Sequence, residues 1–260
     1  DLIALDTETR SLTPFRDGIV GISCAVNDKE AYYVPFGHTD GEQLDQDTVL
    51  AAFKPICENE KLPKVLQNAK FDQAGFAHYG IAINGIVDDT LLIASLLRKG
   101  SESIGLKALS MRYLGEEMAD YKIVAKGKKT FADVPLADAL EYAAHDARQT
   151  LKLQRVLRTE LAKHPELEKL YDEVELPLSS VLWEMEHTGI DLDVDELAQL
   201  ADQVRTELTQ IEAKIATCLH AGQQRIDSAT INLNSPAQLE ILLFDDLGLP
   251  AMKKSAKTGK

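Results

Sequence analysis

Cysteine is scarce: Cys24, Cys57 and Cys218 are far apart and odd in number. That excludes a disulfide framework and a C-x-x-C metal site, and it fits a reducing compartment, so the expected location is cytoplasmic. Long apolar runs are also missing. None approaches the ~20 residues a membrane-spanning helix needs, and no charged-then-apolar signal opens the sequence. Positive charge is in short supply, because 28 Lys and Arg face 42 Asp and Glu and leave a net charge of −14. A protein that coats duplex DNA is usually basic, since phosphate neutralisation drives such binding. This chain is therefore expected to bind nucleic acid weakly and locally, or through metals that screen its own carboxylates. Two clusters hold much of the positive charge, Lys122, Lys126, Lys128 and Lys129 in one and Lys253, Lys254, Lys257 and Lys260 in the other. Each also reads as a solvated loop.

What is present is the composition of a folded protein, with 45% hydrophobic and 27% charged residues. A length of 260 residues suggests two units, or one domain and part of a second. Strand signals come first: LIALD from Leu2, IVGISCAV from Ile19, AYYVP from Ala31, and a short run at Val65 to Asn68. Helical segments follow from about Phe71 to Tyr79, after Asp89, and from about Ile104 to Leu114. Strands first, then strands mixed with helices, predict an α/β unit whose mixed sheet is flanked by helices. From Leu136 onward the pattern is nearly all helical. Leu136 to Leu161 carries a stripe of Leu140, Ala143, Ala144, Leu151 and Leu153, and Pro177 divides a helix over about Glu166 to Glu186. Leu197, Leu200, Val204, Leu208, Ile211, Ile215 and Leu219 recur at helical spacing. Ser235, Pro236 and Gln238 read as an N-cap, a first-turn proline and a capping box. The division is placed at 1–165 and 166–260. The stripe along 194–219 is more than the short following segment can cover, so the chain reads as an excerpt that lacks a partner helix.

The chemistry lies in carboxylates. Asp6 and Glu8 end the first strand, and strand alternation projects both from one face. Like charges so placed repel unless a cation lies between them, although a lone D-x-E also fits a polar strand end. Asp72, in NAKFD, falls at a helix start, where an aspartate also serves the cap and the dipole. Tyr142 and Asp146, in YAAHD, share one helix face. An aspartate in mid-helix has poor propensity and needs another reason to be there. Together these give four carboxylates and a tyrosine, the all-oxygen set that Mg²⁺ and Mn²⁺ prefer. Two such ions ~4 Å apart can activate a water and stabilise both oxygens of a phosphodiester displacement.

Asp6-Thr7-Glu8, Asn68-x-x-x-Asp72 and Tyr142-x-x-x-Asp146 resemble the three motifs of the DEDDy proofreading exonucleases of family-A DNA polymerases. The likeness runs on through FDQAGFAHYGI and DDTLLIASLL, and then through VELPLSSVLWEMEHTGI and NLNSPAQLEILLFDDLGLP, so it covers nearly the whole chain. It implies a ribonuclease H-like exonuclease fold over 1–165, followed by the helical start of a polymerase domain with part of the thumb. Polymerase palm and fingers motifs are absent, so no polymerase activity is expected of this chain.

By this resemblance Asp6, Glu8, Asp72 and Asp146 bind two divalent ions, with Asp6 bridging them. Glu8 and Asp146 hold the site of the attacking water, Asp72 supports the second ion, and Tyr142 orients the water. Leu12, Asn68 and Thr7 contact the terminal nucleotides, with Leu12 wedging against the last base; Leu12 also reads as an ordinary core leucine. The implied partners are a single-stranded DNA 3′ end and the rest of a polymerase polypeptide, in a monomer. Arg10 and His145 depart from the family pattern next to motif residues. Two alternatives stay open: a ribonuclease D-like RNA exonuclease, and a non-catalytic domain that scaffolds a polymerase or binds DNA. Ser23 reads as a strand residue, Trp183 as packing, Asp89 as a helix cap, and the six histidines show no ligand spacing.

Overall fold

The computed structural model describes residues 2–219 and 232–250. Five strands form one sheet in the order β3-β2-β1-β4-β5. β1 (Ile3–Thr9), β2 (Ile19–Ala25) and β3 (Ala31–Pro35) make an antiparallel meander. β4 (Lys64–Leu66) and β5 (Ile86–Asp89) add to β1 in parallel. β1 is thus central, which accounts for the apolar residues at its start. The mixed sheet agrees with the expectation, but β5 escaped it, because two of its four residues are aspartates. Both are buried, Asp88 against Arg158 and Gln154, Asp89 on backbone amides.

The helices of this part are α1 (Pro14–Asp17), α2 (Gln46–Cys57), α3 (Ala69–Ala77), α4 (Thr90–Leu97), α5 (Leu106–Leu109), α6 (Tyr121–Val124) and α7 (Leu136–Leu161). α2, like β5, was not anticipated. α2 and α3 cover one face, where Leu5, Ile22 and Leu66 meet Val49, Leu50 and Phe76. α7 crosses the other, where Ala4, Ala25 and Val65 meet Ala147 and Leu151. The buried row of α7 begins with Ala139, Ala143 and Ala147, and Leu140 of the expected stripe is half exposed. Small side chains let the helix lie close to the strands, so the inward row is alanine at the end that meets the site.

The compact unit runs from Asp1 to Gly189, past the boundary expected at 165. α8 (Pro165–Leu170), a π-turn (Tyr171–Glu175) and α9 (Leu176–Thr188) belong to it. The anchor is Tyr171, fully buried, whose hydroxyl accepts the Asp89 amide at 2.9 Å. The Arg158 guanidinium lies 4.7 Å over its ring and pairs with Asp88 and Asp172. Pro177 stands in the first turn of α9, just after the π-turn, so it marks a break as expected.

The second unit begins at Ile190. Its α10 (Val194–Leu219) has the expected span, with Leu197, Leu200, Val204, Leu208 and Ile211 about half exposed along it. In α11 (Pro236–Glu240) the Ser235 side chain caps the Gln238 amide. Gln238 itself accepts from the Asn232 amide at 2.7 Å, so it serves Asn232 where the capping box predicted Ser235. The lysines at 253, 254, 257 and 260 lie outside the described residues. Among the described residues no helix is long and apolar enough to cross a membrane.

Asp89 ties the sheet to the helix that carries Asp72. Its carboxylate caps α4 through the Leu91 amide at 2.9 Å, as expected, and also accepts the amides of Asn68 at 3.0 Å and Ala69 at 2.8 Å. Asn68 is held there in the left-handed region, with φ of 66° and ψ of 55°. Asparagine tolerates this better than most residues, but it remains a strained backbone that needs support from its surroundings. Asp89→Ala orphans three amides, at least one of them buried, and is expected to lower unfolding stability by about 3 kcal/mol or more in urea melts. A loss below about 1 kcal/mol would contradict this role.

Candidate active site

β1 presents Asp6 and Glu8 toward α7, and α7 brings Asp146 to meet them. One carboxylate oxygen from each of the three lies within 4.8 Å of the others. The neighbouring strand leaves room for this. Ser23, opposite Asp6, faces its carboxylate at 3.4 Å, and Gly21 stands opposite Glu8. A Cβ at position 21 would collide with the Tyr33 ring, so glycine is required where that ring crosses β2.

Asp72 arrives from the opposite layer. Strand alternation turns Thr7 away from Asp6 and Glu8, toward α3, where its hydroxyl donates to Asp72 Oδ1 at 2.7 Å. The fourth carboxylate is therefore adjacent to the trio but not one of its members, and Thr7 tethers it at the strand end. Thr7 is only 6% exposed and its hydroxyl is taken up by Asp72.

Burial and mutual repulsion act on all four acids. Burial pushes Asp6 up to about 7, opposed by the Ser23 hydroxyl. Burial raises Glu8 well above its usual range, and Asp6, Asp146 and Asp72 raise it further, while Lys107 opposes them. Asp72 and Asp146 are raised by burial and then by Asp6. Four acids that resist ionising together, with convergent oxygens and no nitrogen or sulfur among them, fit a hard divalent cation that would offset their charge.

Tyr142 sits one turn before Asp146 on α7. Its ring meets Phe131 at 5.7 Å and Tyr121 at 6.4 Å, and the Lys107 ammonium lies 4.8 Å over its face. Burial and the nearby acids raise the phenol's pKa, so the hydroxyl keeps its proton and acts as a donor. Tyr121 and Lys107 escaped the sequence reading. Tyr121 precedes the first lysine cluster, which is exposed next to the site, and that adjacency was a usable signal. Lys107 carried none, because a lysine in GLKALS looks like any solvated helix residue.

Leu12 is 91% exposed, so the core reading fails for it. It lines an open cleft of about 390 Å³ with Asn68, Phe71 and Trp183, and Trp183 stacks on His187 at 5.1 Å. His145 is turned into a separate network in which Gln149 reaches it at 2.7 Å and Glu116 at 2.6 Å, with Lys152 on Glu116. Arg10 approaches Gly37 and His38.

The raised Asp6 predicts a pH effect in the chelated protein. Its ordinary value of 3.8 applies to the unfolded chain and about 7 to the folded one, so folding favours the protonated form. The stability linked to Asp6 is full below pH 3.8 and is lost as pH rises through about 7. In EDTA the Tm is expected to fall between about pH 4 and pH 7, with Asp6→Asn flattening the slope and Mn²⁺ restoring the wild-type Tm. A rising Tm over that range would contradict the assignment.

Residues 1–162 match the family model described as 3′-5′ exonuclease, of the family-A DNA polymerases. DNA polymerase I of Synechocystis is 41% identical over 98% of this chain and 25% of its own length. That of Pseudomonas aeruginosa is 36% identical over 98% of this chain and 28% of its own. The chain thus spans about a quarter of the length of these curated relatives. Among solved structures, the POL domain of Pol1 from M. smegmatis, in complex with DNA primer-template and dNTP, gives a TM-score of 0.64 at 27% identity, covering 99% of this chain and 39% of that one. Brucella melitensis NrnC with bound Mg²⁺ gives 0.54 at 22% identity over 75% of this chain and 90% of its own, a likeness of fold. The chain belongs to the 3′-5′ exonuclease family of the family-A DNA polymerases.

Proposed function

We propose that this chain is the proofreading part of a longer DNA polymerase and removes nucleotides from single-stranded or frayed DNA 3′ ends, releasing nucleoside 5′-monophosphates. The observation that carries the reading is the convergence of Asp6, Glu8 and Asp146 oxygens within 4.8 Å, one helical turn from a protonated Tyr142. In this reading Asp6, Glu8 and Asp146 would hold one Mg²⁺ or Mn²⁺, and Asp6 with Asp72 a second. Such ions, when bound, offset the charge of the phosphodiester and of its attacking and leaving oxygens.

The chain's own residues supply the rest. Tyr142 donates a hydrogen bond that orients the attacking water, and its raised pKa argues against a role as base. Thr7 fixes Asp72. Leu12, exposed and lining one cleft with Asn68, wedges against the terminal base, and Asn68 contacts the same nucleotide. The reaction joins the water oxygen to phosphorus and breaks the P–O3′ bond, leaving a 3′-hydroxyl on the shortened strand. Residues 166–260 would be the start of the polymerase domain, with part of its thumb, in a cytoplasmic monomer.

The test is shortening of a 5′-labelled single-stranded DNA with Mg²⁺ or EDTA, beside an RNA of the same sequence. A metal-dependent ladder from the 3′ end is expected, faster on DNA. Asp146→Ala is expected to lower the rate more than about a hundredfold, beyond the usual effect of losing an outer-shell partner. Unchanged cleavage in that variant would defeat the assigned site, and equal turnover of RNA would favour an RNA-processing enzyme.

A further inference from the structure

Lys107 is a cation set against this site that none of the motifs requires. It belongs to α5, a single helical turn that continues into a π-turn (Ser110–Leu114). The backbone there is well anchored. Leu109 is fully buried among Ile93, Leu153 and Leu157, and the Ser110 hydroxyl donates to the Glu116 carbonyl at 2.8 Å. Irregular turns of this kind are frequent at functional sites. From this fixed base the Lys107 side chain, half-buried, reaches the Tyr142 ring at 4.8 Å, within cation–π range. Tyr142 stands one turn before Asp146 on α7, so the ammonium over its ring is set beside the acidic cluster.

We infer that Lys107 is a positioning residue of the exonuclease site, fixing the Tyr142 ring from its open face and acting as an internal counter-ion to Glu8 and Asp146. Phe131 and Tyr121 are the ring's aromatic neighbours, and the ammonium adds a charged contact to them. The charge has a second effect. A fixed cation beside two carboxylates weakens their attraction for a divalent ion, so Lys107 holds metal affinity below what the four acids would otherwise give. One residue therefore couples the placement of the water-orienting hydroxyl to the strength of metal binding.

The inference rests on the exonuclease reading, and the test separates the two. Lys107→Met keeps the stem and removes the charge, and Lys107→Arg keeps a cation that also stacks on aromatic rings. In Lys107→Met the calorimetric Kd for Mn²⁺ is expected to tighten about three- to tenfold, as for one unit charge lost at close range. Its kcat on single-stranded DNA is expected to fall about tenfold with KM nearly unchanged, as for a misplaced orienting group. Lys107→Arg is expected to match wild type in both. A Lys107→Met protein with unaltered Mn²⁺ affinity and kcat, or one in which KM alone rises, overturns the inference. Wild-type protein that neither binds Mn²⁺ nor shortens DNA defeats the exonuclease reading itself, whatever Lys107 does.

Discussion

Repulsion among crowded carboxylates is the constraint on which the rest of this structure depends. Asp6, Glu8 and Asp146 are gathered at the end of the central strand, and Asp72 stands beside them from the other side of the sheet. Burial raises every one of them; Asp6 adds to the difficulty of ionising the other three, and Asp72 and Asp146 add to that of Glu8. Such a group does not assemble for stability. It is held together by structure that is stable for other reasons, and its chemistry fits a divalent cation.

The sheet topology shows how the holding is done. A central strand with helices on both faces can deliver two acids to one layer and, through the residue between them, restrain an acid from the other. Thr7 is that residue, and its hydrogen bond to Asp72 joins the layers. Further out, Asp89 gathers the amides that start α3 and α4, and Tyr171 holds the Asp89 amide in turn. A continuous set of contacts thus runs from the π-turn before α9 to the clustered carboxylates. The strain at Asn68 is kept where this support is densest.

Much of this was legible in the sequence, for reasons that can be named. Strand alternation put Asp6 and Glu8 on one face, helical spacing aligned Tyr142 with Asp146, and the oddity of an aspartate in mid-helix pointed to Asp146. Other parts were hidden because their signals mimic solvent exposure. β5 ends in two aspartates that are buried by partners 66 to 70 residues away or by amides. Lys107 resembles any surface lysine until the fold sets it over Tyr142. The stretch after 165 looked like a new unit because strands cease there, while buried Tyr171, with the pairs Arg158–Asp172 and Lys70–Glu186, binds it to the first. The family model ends at residue 162, so ancestry and packing divide this chain at different points.

The most direct measurement of the central claim is anomalous diffraction from crystals soaked in Mn²⁺. A peak bound by oxygens of Asp6, Glu8 and Asp146 is predicted at about 2.1–2.3 Å, between the distances of Mg²⁺ and Ca²⁺. A second, weaker peak is predicted on the Asp72 side of Asp6. Density for the metal elsewhere, with these carboxylates left protonated and unligated, would contradict it.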